Sequence, residues 1–209
     1  LTRGAGDTVL RGLSLDVAAG ECIGIIGRSG VGKSSIAALL SQQINADSGT
    51  IKLNDQAIDA IPEANLYQRL AYLTQQTDLF SSSIAGNLRI AKRDATSEQI
   101  WQALQAVALD EFVAGCEQGL DTWIGESGTE LSAGQARRLA LARMLLRDPD
   151  LVILDEPFAG LDDDTAAHIA DHLTAWRRGR TTILLGHDRE ALPDADRWFT
   201  LRNGRLALD

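Results

Sequence analysis

A chain of 209 residues, 44% hydrophobic and 23% charged, is long enough to bury a real core, as one α/β domain or as two small lobes. Its net charge of −9 argues against general attraction to nucleic acid. No run approaches the ~20 apolar residues of a membrane helix, and no basic-then-apolar leader opens the chain, so membrane association is expected to come from a partner or from chain outside this sequence.

Residues 1–7 carry little order signal, and both ends read as cut from something larger. Val9 and Leu10 lead into Leu13, Leu15 and Val17, whose alternation predicts a half-buried strand. Residues 21–26 form a short apolar run before a Gly-rich loop. Residues 33–43 then carry Ile36, Leu39 and Leu40 at helical spacing. Asp47-Ser48-Gly49 marks a turn, and 50–53 and 70–73 are predicted strands. Residues 96–108 predict a helix with Ile100, Leu104 and Val107 on one face and Thr96 or Ser97 as its cap. A second helix, 134–147, turns Leu139, Ala142, Leu145 and Leu146 inward. The continuous apolar run 151–154 suits a central parallel strand. Residues 163–178 give the clearest helix, with Ala166, Ile169, Ala170, Leu173 and Trp176 as its stripe. Asp162, Asp163 and Asp164 stand at its positive end, and Arg177 and Arg178 at its negative end. A buried strand at 181–185 and a closing hairpin about Asn203-Gly204 complete the series. Strands alternating with helices predict an α/β fold, a mostly parallel sheet with helices on both faces. Residues 76–135 have helices but no strong strand. They are expected to form a helical lobe inserted into a core of 1–75 and 136–209.

Three segments carry chemistry. Gly27-Arg28-Ser29-Gly30-Val31-Gly32-Lys33-Ser34 fits the P-loop pattern, in the strand–loop–helix context that pattern requires. Its glycines let backbone N–H groups turn toward phosphate oxygens, and the helix that starts there adds its positive end. Lys33 is placed to reach β- and γ-phosphates, and the Ser34 hydroxyl to ligate Mg²⁺. Asp155 and Glu156 end an apolar strand. Two adjacent carboxylates there are costly unless something such as Mg²⁺ compensates them. Leu131-Ser132-Ala133-Gly134-Gln135 reads as a further helix-start anion site, with Ser132 as N-cap and Gly134 allowing close backbone approach. A Gly-rich turn, a solvated strand end and a plain capped helix are the bland readings of the three. Their order along one chain favours nucleotide chemistry.

In that order the three segments resemble the ATP-binding cassette (ABC) ATPases, over nearly the whole chain. The resemblance implies a RecA-like P-loop core with an N-terminal antiparallel β portion and an inserted α-helical subdomain. It also implies ATP and Mg²⁺ as ligands. Gly27, Arg28, Ser29, Gly30, Val31, Gly32, Lys33, Ser34 and Ser35 would bind ATP. Asp155 is similar to the aspartate that holds Mg²⁺, with Ser34 and Gln75. Glu156 resembles the catalytic glutamate that orients and deprotonates the attacking water, with His187 and Gln75 as further catalytic groups. Ala71-Tyr72-Leu73-Thr74-Gln75 looks like the entry to the Q-loop, with Thr74 where many members have proline. Ala159-Gly160-Leu161-Asp162 looks like the D-loop, with Ala159 in place of serine. Ser132, Ala133, Gly134 and Gln135 resemble the signature that reads the ATP of a second cassette. Ala133 replaces its first glycine, a change that strains the backbone only if that position needs positive φ. The aromatic that many members place before Val9 to stack on adenine has no counterpart in residues 1–8.

Thr122-Trp123-Ile124-Gly125-Glu126-Ser127-Gly128 is similar to a segment of ABC exporters that touches the membrane domain. Residues 119–126 and 136–143 look most like the CydC-type subunits of bacterial CydDC transporters, which export cysteine and glutathione and support cytochrome bd assembly. This resemblance implies two partners and no nucleic acid. One partner is a second, CydD-like cassette docked head to tail in a heterodimer; the other is the transmembrane domain of the same transporter, expected upstream. It places the chain at the cytoplasmic face of the bacterial inner membrane. A degenerate regulatory nucleotide module and a soluble ABC ATPase are the other readings. His168 and His172, with no third ligand in sequence, read as helix surface. Cys22 and Cys116 match no metal spacing and read as buried or half-buried thiols of a reducing compartment.

Overall fold

The computed structural model describes residues 1–3, 7–125 and 128–209, and they group into two compact units. One comprises Leu1–Thr74, Pro149–Glu156 and Arg177–Asp209, the other Gln75–Asp148 and Pro157–Trp176.

The first unit is built on a six-stranded sheet. Its strands are β1 (Cys22–Ile26), β2 (Leu70–Leu73), β3 (Leu151–Asp155), β4 (Thr181–Gly186), β5 (Arg197–Arg202) and β6 (Arg205–Leu208). The spatial order is β6-β5-β1-β4-β3-β2, with every pairing parallel except the β5–β6 hairpin. This is a mixed α/β fold with a mostly parallel sheet. Val152, Ile153, Leu154, Ile183, Leu184 and Leu185 are all buried, so β3 and β4 hide both faces. That is why these strands are apolar at every position rather than at alternate ones. Ile23, Ile25, Ile153, Ile183, Leu185 and Phe199 cluster with Ile36 and Ala37 of helix α1 (Lys33–Leu40) and with Leu66. Each fully buried aliphatic contributes about 1.5–3 kcal/mol.

Gly24 of β1 lies under the ring of Trp198. A Cβ there would stand 2.3 Å from Cε3 and Cζ3 of the indole. The Trp198 ring is itself buried and stacked under the Arg189 guanidinium, 4.9 Å away, so it has little room to yield. Gly24→Ala is expected to destabilise the fold by about 1–3 kcal/mol through overpacking. A fall in the urea midpoint measures it, and an unchanged midpoint would show that the ring is free to shift.

Three sequence expectations change in detail. Leu13, Leu15 and Val17 do alternate as half-buried side chains packed on the core, but no strand forms there. An extended segment lying on apolar side chains shows a two-residue period without a neighbouring strand to pair with. The 50–53 strand shortens to Lys52–Leu53, paired with Gln56–Ala57 across Asn54 and Asp55 at φ 49° and 62°, a tight hairpin turn. Helix α1 ends at Leu40 because Ser41 Oγ donates to Ala37 O at 2.8 Å and Gln42 turns to φ 56°. Cys22 is buried and Cys116 half-buried, and both are free. Burial pushes the Cys22 thiol up to about 11.

The second unit is mainly helical. It includes Ile84–Arg89, α2 (Ser97–Ala106), Asp110–Gly115, α3 (Ala133–Leu145) and α4 (Asp163–Trp176), with a small ladder joining Ser82–Ser83 to Trp123–Ile124. Thr96 caps α2 in a reciprocal box with Gln99. The unit extends beyond 76–135 because α2 packs against both α3 and α4.

Candidate active site

In the first unit the loop after β1 turns at Gly32, whose φ of 115° suits glycine alone. A Cβ there would also meet Val9 Cγ1 at 2.8 Å. Helix α1 opens on Lys33 with no acidic residue in its first turn, so its positive end is not spent on its own side chains. Lys33 is only 5% exposed, and Nζ donates to the carbonyls of Gly27 at 2.6 Å and Arg28 at 3.1 Å. Burial lowers the pKa of its ammonium, and the nearby charges of Glu156 and Asp155 oppose that shift.

The Ser34 hydroxyl donates to Asp155 Oδ2 at 2.7 Å, and Asp155 is 1% exposed. Glu156 leaves β3 at φ 49°, its N–H donating to Leu185 O at 2.9 Å. Its carboxylate pairs with His187 Nε2, which follows β4. The register sets Gly186 beside Ile26 and Leu185 beside Asp155. Gly27, Asp155-Glu156 and His187 therefore leave the carboxyl ends of three adjacent parallel strands, where open α/β sheets bind ligands. An open cleft of about 730 Å³ lies along Gly27, Arg28, Ser29, Val31 and His187, and another of about 620 Å³ along Val9, Arg11, Gly30 and Val31. Both fall in the range of small-molecule sites. Paired hydroxyl and carboxylate oxygens are the hard donors Mg²⁺ prefers, so Ser34 and Asp155 fit that ion.

In the second unit Ser132 caps α3. Ser132 Oγ accepts from Gln135 N at 3.2 Å, and Ser132 N donates to Gln135 Oε1 at 2.9 Å. Ala133 is the first residue of α3 and is not among the residues at positive φ. Its methyl therefore brings no backbone strain, and alanine suits a helix better than glycine by about 0.5–1 kcal/mol. Gly134 comes close to the Ala159–Asp162 segment: a Cβ would stand 3.2 Å from Gly160 O. Asp162 accepts from Thr165 N at 2.9 Å at the start of α4. That backbone bond, with a second from the Thr165 side chain, holds its carboxyl below the usual aspartate value. Gln75 O accepts from Arg137 Nη1 at 3.4 Å. Trp123 and Ile124 pair with Ser83 and Ser82, while Glu126 and Ser127 lie outside the described residues.

The first unit thus brings together the P-loop, Asp155, Glu156 and His187. The second holds Ser132–Gln135, Asp162 and Gln75. Two further residues stand out. Fully buried Asn87 exchanges hydrogen bonds of 2.9 Å with both the N–H and the C=O of Phe80. Arg137, in the second turn of α3, is 3% exposed. Their only sequence signal is a polar side chain inside an otherwise apolar helical stripe. The His168 and His172 rings lie 4.7 Å apart, and the described residues contain no cluster of three or more metal-binding side chains.

A family profile described as "ABC transporter" matches residues 10–159. The glutathione/L-cysteine transport system ATP-binding/permease protein CydC of Escherichia coli is 38% identical over 197 residues, covering 94% of this chain and 34% of that protein. An ATP-dependent lipid A-core flippase of Chromobacterium violaceum is 36% identical over 198 residues, covering 95% of this chain and 34% of the flippase. The structure of a bacterial Atm1-family ABC exporter with ATP bound superposes with a TM-score of 0.89 at 35% identity, over 95% of this chain and 35% of that one. The chain thus spans about a third of the length of these relatives. With the profile covering most of its length and the fold matched across the rest, the chain belongs to the ABC transporter family, matching the ATP-binding part of exporter-type relatives.

Proposed function

We propose that this chain is the ATP-binding and ATP-hydrolysing cassette of an ABC exporter. The observation that carries this is the 2.7 Å contact of Ser34 with Asp155, beside the Glu156–His187 pair on the neighbouring strand ends. Backbone N–H groups of 27–34 and the Lys33 ammonium would take the phosphates, Lys33 exchanging its loop carbonyls for phosphate oxygens. Ser34 and Asp155 would hold Mg²⁺, with Gln75 as a third ligand; the ion supplies charge neutralisation on the phosphate oxygens. Glu156 accepts a proton from water as its oxygen attacks the γ-phosphorus and ADP leaves, while His187 steadies the γ-phosphate. The start of α3 at Ser132, Ala133, Gly134 and Gln135, with Asp162, would face the ATP of a second cassette docked head to tail.

The transmembrane partner is supported by Phe80 and Trp123, 52% and 48% exposed. Phe80 is pinned by Asn87, and Trp123 sits in the Ser82–Ser83 ladder. Among the described residues no helix is long and apolar enough to cross a membrane. The likeness to an ATP-binding/permease protein supports a place at the cytoplasmic face of the membrane, acting through that partner.

The finer reading is thiol export with a CydD-like partner, supported by the 38% identity to the Escherichia coli glutathione/L-cysteine system. Lipid A-core flippases at 36% make lipid export its rival. In inside-out vesicles carrying the full-length transporter, ATP is expected to drive uptake of cysteine and glutathione. Uptake no greater than without ATP, together with ATPase stimulated by lipid A-core, would replace thiol by lipid.

A further inference from the structure

We infer that Arg137 is a positioning residue that holds the backbone at Gln75 and at Pro157 to the first turns of α3, so that these segments move as one body. The inference rests on the ATPase reading above. Arg137 lies two residues beyond Gln135 and is 3% exposed. Its Nε donates to Pro157 O at 3.3 Å and its Nη1 to Gln75 O at 3.4 Å. One carbonyl belongs to the candidate Mg²⁺ and water ligand. The other belongs to the residue after Glu156, at the head of the segment that runs to Asp162. Gly134 also lies close to that segment, where a Cβ would stand 3.2 Å from Gly160 O.

The chemistry suits arginine alone. A guanidinium stays charged at any working pH, and taking it out of water is costly unless its donors are engaged. The fixed planar fork lets one side chain serve carbonyls that are 62 residues apart from it on one side and 20 on the other. A lysine ammonium has no such fork. The contact acts on backbone, so it sets where the two segments stand rather than what their side chains do. Two other arginines of α3 also donate to carbonyls, Arg138 to Ala108 and Arg143 to Asp78. Neither of those carbonyls belongs to a candidate site residue. Arg137 is the member of this set directed at the site.

The test uses the full-length transporter with Arg137→Lys and Arg137→Gln. ATP affinity and KM are expected to stay within about threefold of wild type, while kcat per ATP-binding site falls about 10- to 100-fold through misplacement of the reacting groups. A merely structural role would lower the number of binding-competent molecules and leave kcat per site unchanged, and that result overturns the inference. Should both variants fail to fold, amide hydrogen exchange on the wild-type protein decides. ATP is expected to slow exchange at 75–78, 132–137 and 157–162 together, and protection of one segment without the others overturns the inference. Wild-type hydrolysis by Glu156→Gln would sink the ATPase reading instead and is scored separately.

Discussion

Glu156→Gln is expected to leave ATP binding intact, stop hydrolysis and trap the closed pair of cassettes with ATP inside. The substitution keeps size and shape but removes the group that takes the proton from water. A positioned general base is worth about 10²–10⁴-fold in rate, and hydrolysis should fall by that factor. Glu156 is held for the task by unusual means. Its φ of 49° is rare outside glycine and asparagine, and its N–H is bonded to Leu185 O at 2.9 Å across the β3–β4 pair. That geometry directs the side chain away from the buried sheet and toward His187. Glutamine can keep a hydrogen bond to His187, so the backbone arrangement should survive. ATP occlusion measured by retention of labelled nucleotide checks the outcome. Loss of ATP binding in this variant would mean that Glu156 serves the binding step or the fold.

Lys33→Ala should have the opposite profile, a protein that folds but scarcely binds ATP. Lys33 is held by the carbonyls of its own loop, Gly27 and Arg28, at the spot where phosphates are expected. Hydrogen bonds to a charged group contribute about 1.5–3 kcal/mol each, so the loss of affinity should be about 10²-fold. The sign of the pH effect also follows. Burial lowers the pKa of Lys33 below that of an ordinary lysine. The protonated form is the one that attracts phosphate, so affinity should decline with rising pH, starting at a lower pH than an ordinary lysine would set. Equilibrium binding of ATP between neutral and alkaline pH measures both effects. Wild-type affinity in Lys33→Ala would remove Lys33 from the site.

Much of the first unit was legible from local pattern. Residues 151–154 and 181–185 are apolar at each position, and such runs form central strands buried on both faces. The P-loop was legible because its glycines, lysine and serine sit between a strand and a helix. Ser132 was legible as a cap from its residue type just ahead of a helix, whereas Thr96 and Ser97 both qualified for α2 until the reciprocal box of Thr96 with Gln99 decided between them. What escaped depends on partners remote in sequence. Whether 13–17 forms a ladder depends on a free strand edge beside it, which alternation does not reveal. Ala133 could be judged only once its position at the head of α3 fixed its φ. Arg137 and Asn87 resemble interruptions of an apolar stripe until their carbonyl partners are known. The helical unit likewise extends to 163–176 because α2 meets α4, a contact between segments far apart in the chain.

The claim that Gly27–Ser34, Asp155, Glu156 and His187 form one hydrolytic centre is tested most directly by single-turnover phosphate release from γ-labelled ATP. Wild-type full-length protein is expected to release phosphate, Glu156→Gln to bind ATP without releasing it, and Lys33→Ala to do neither. Release by Glu156→Gln at the wild-type rate would contradict it.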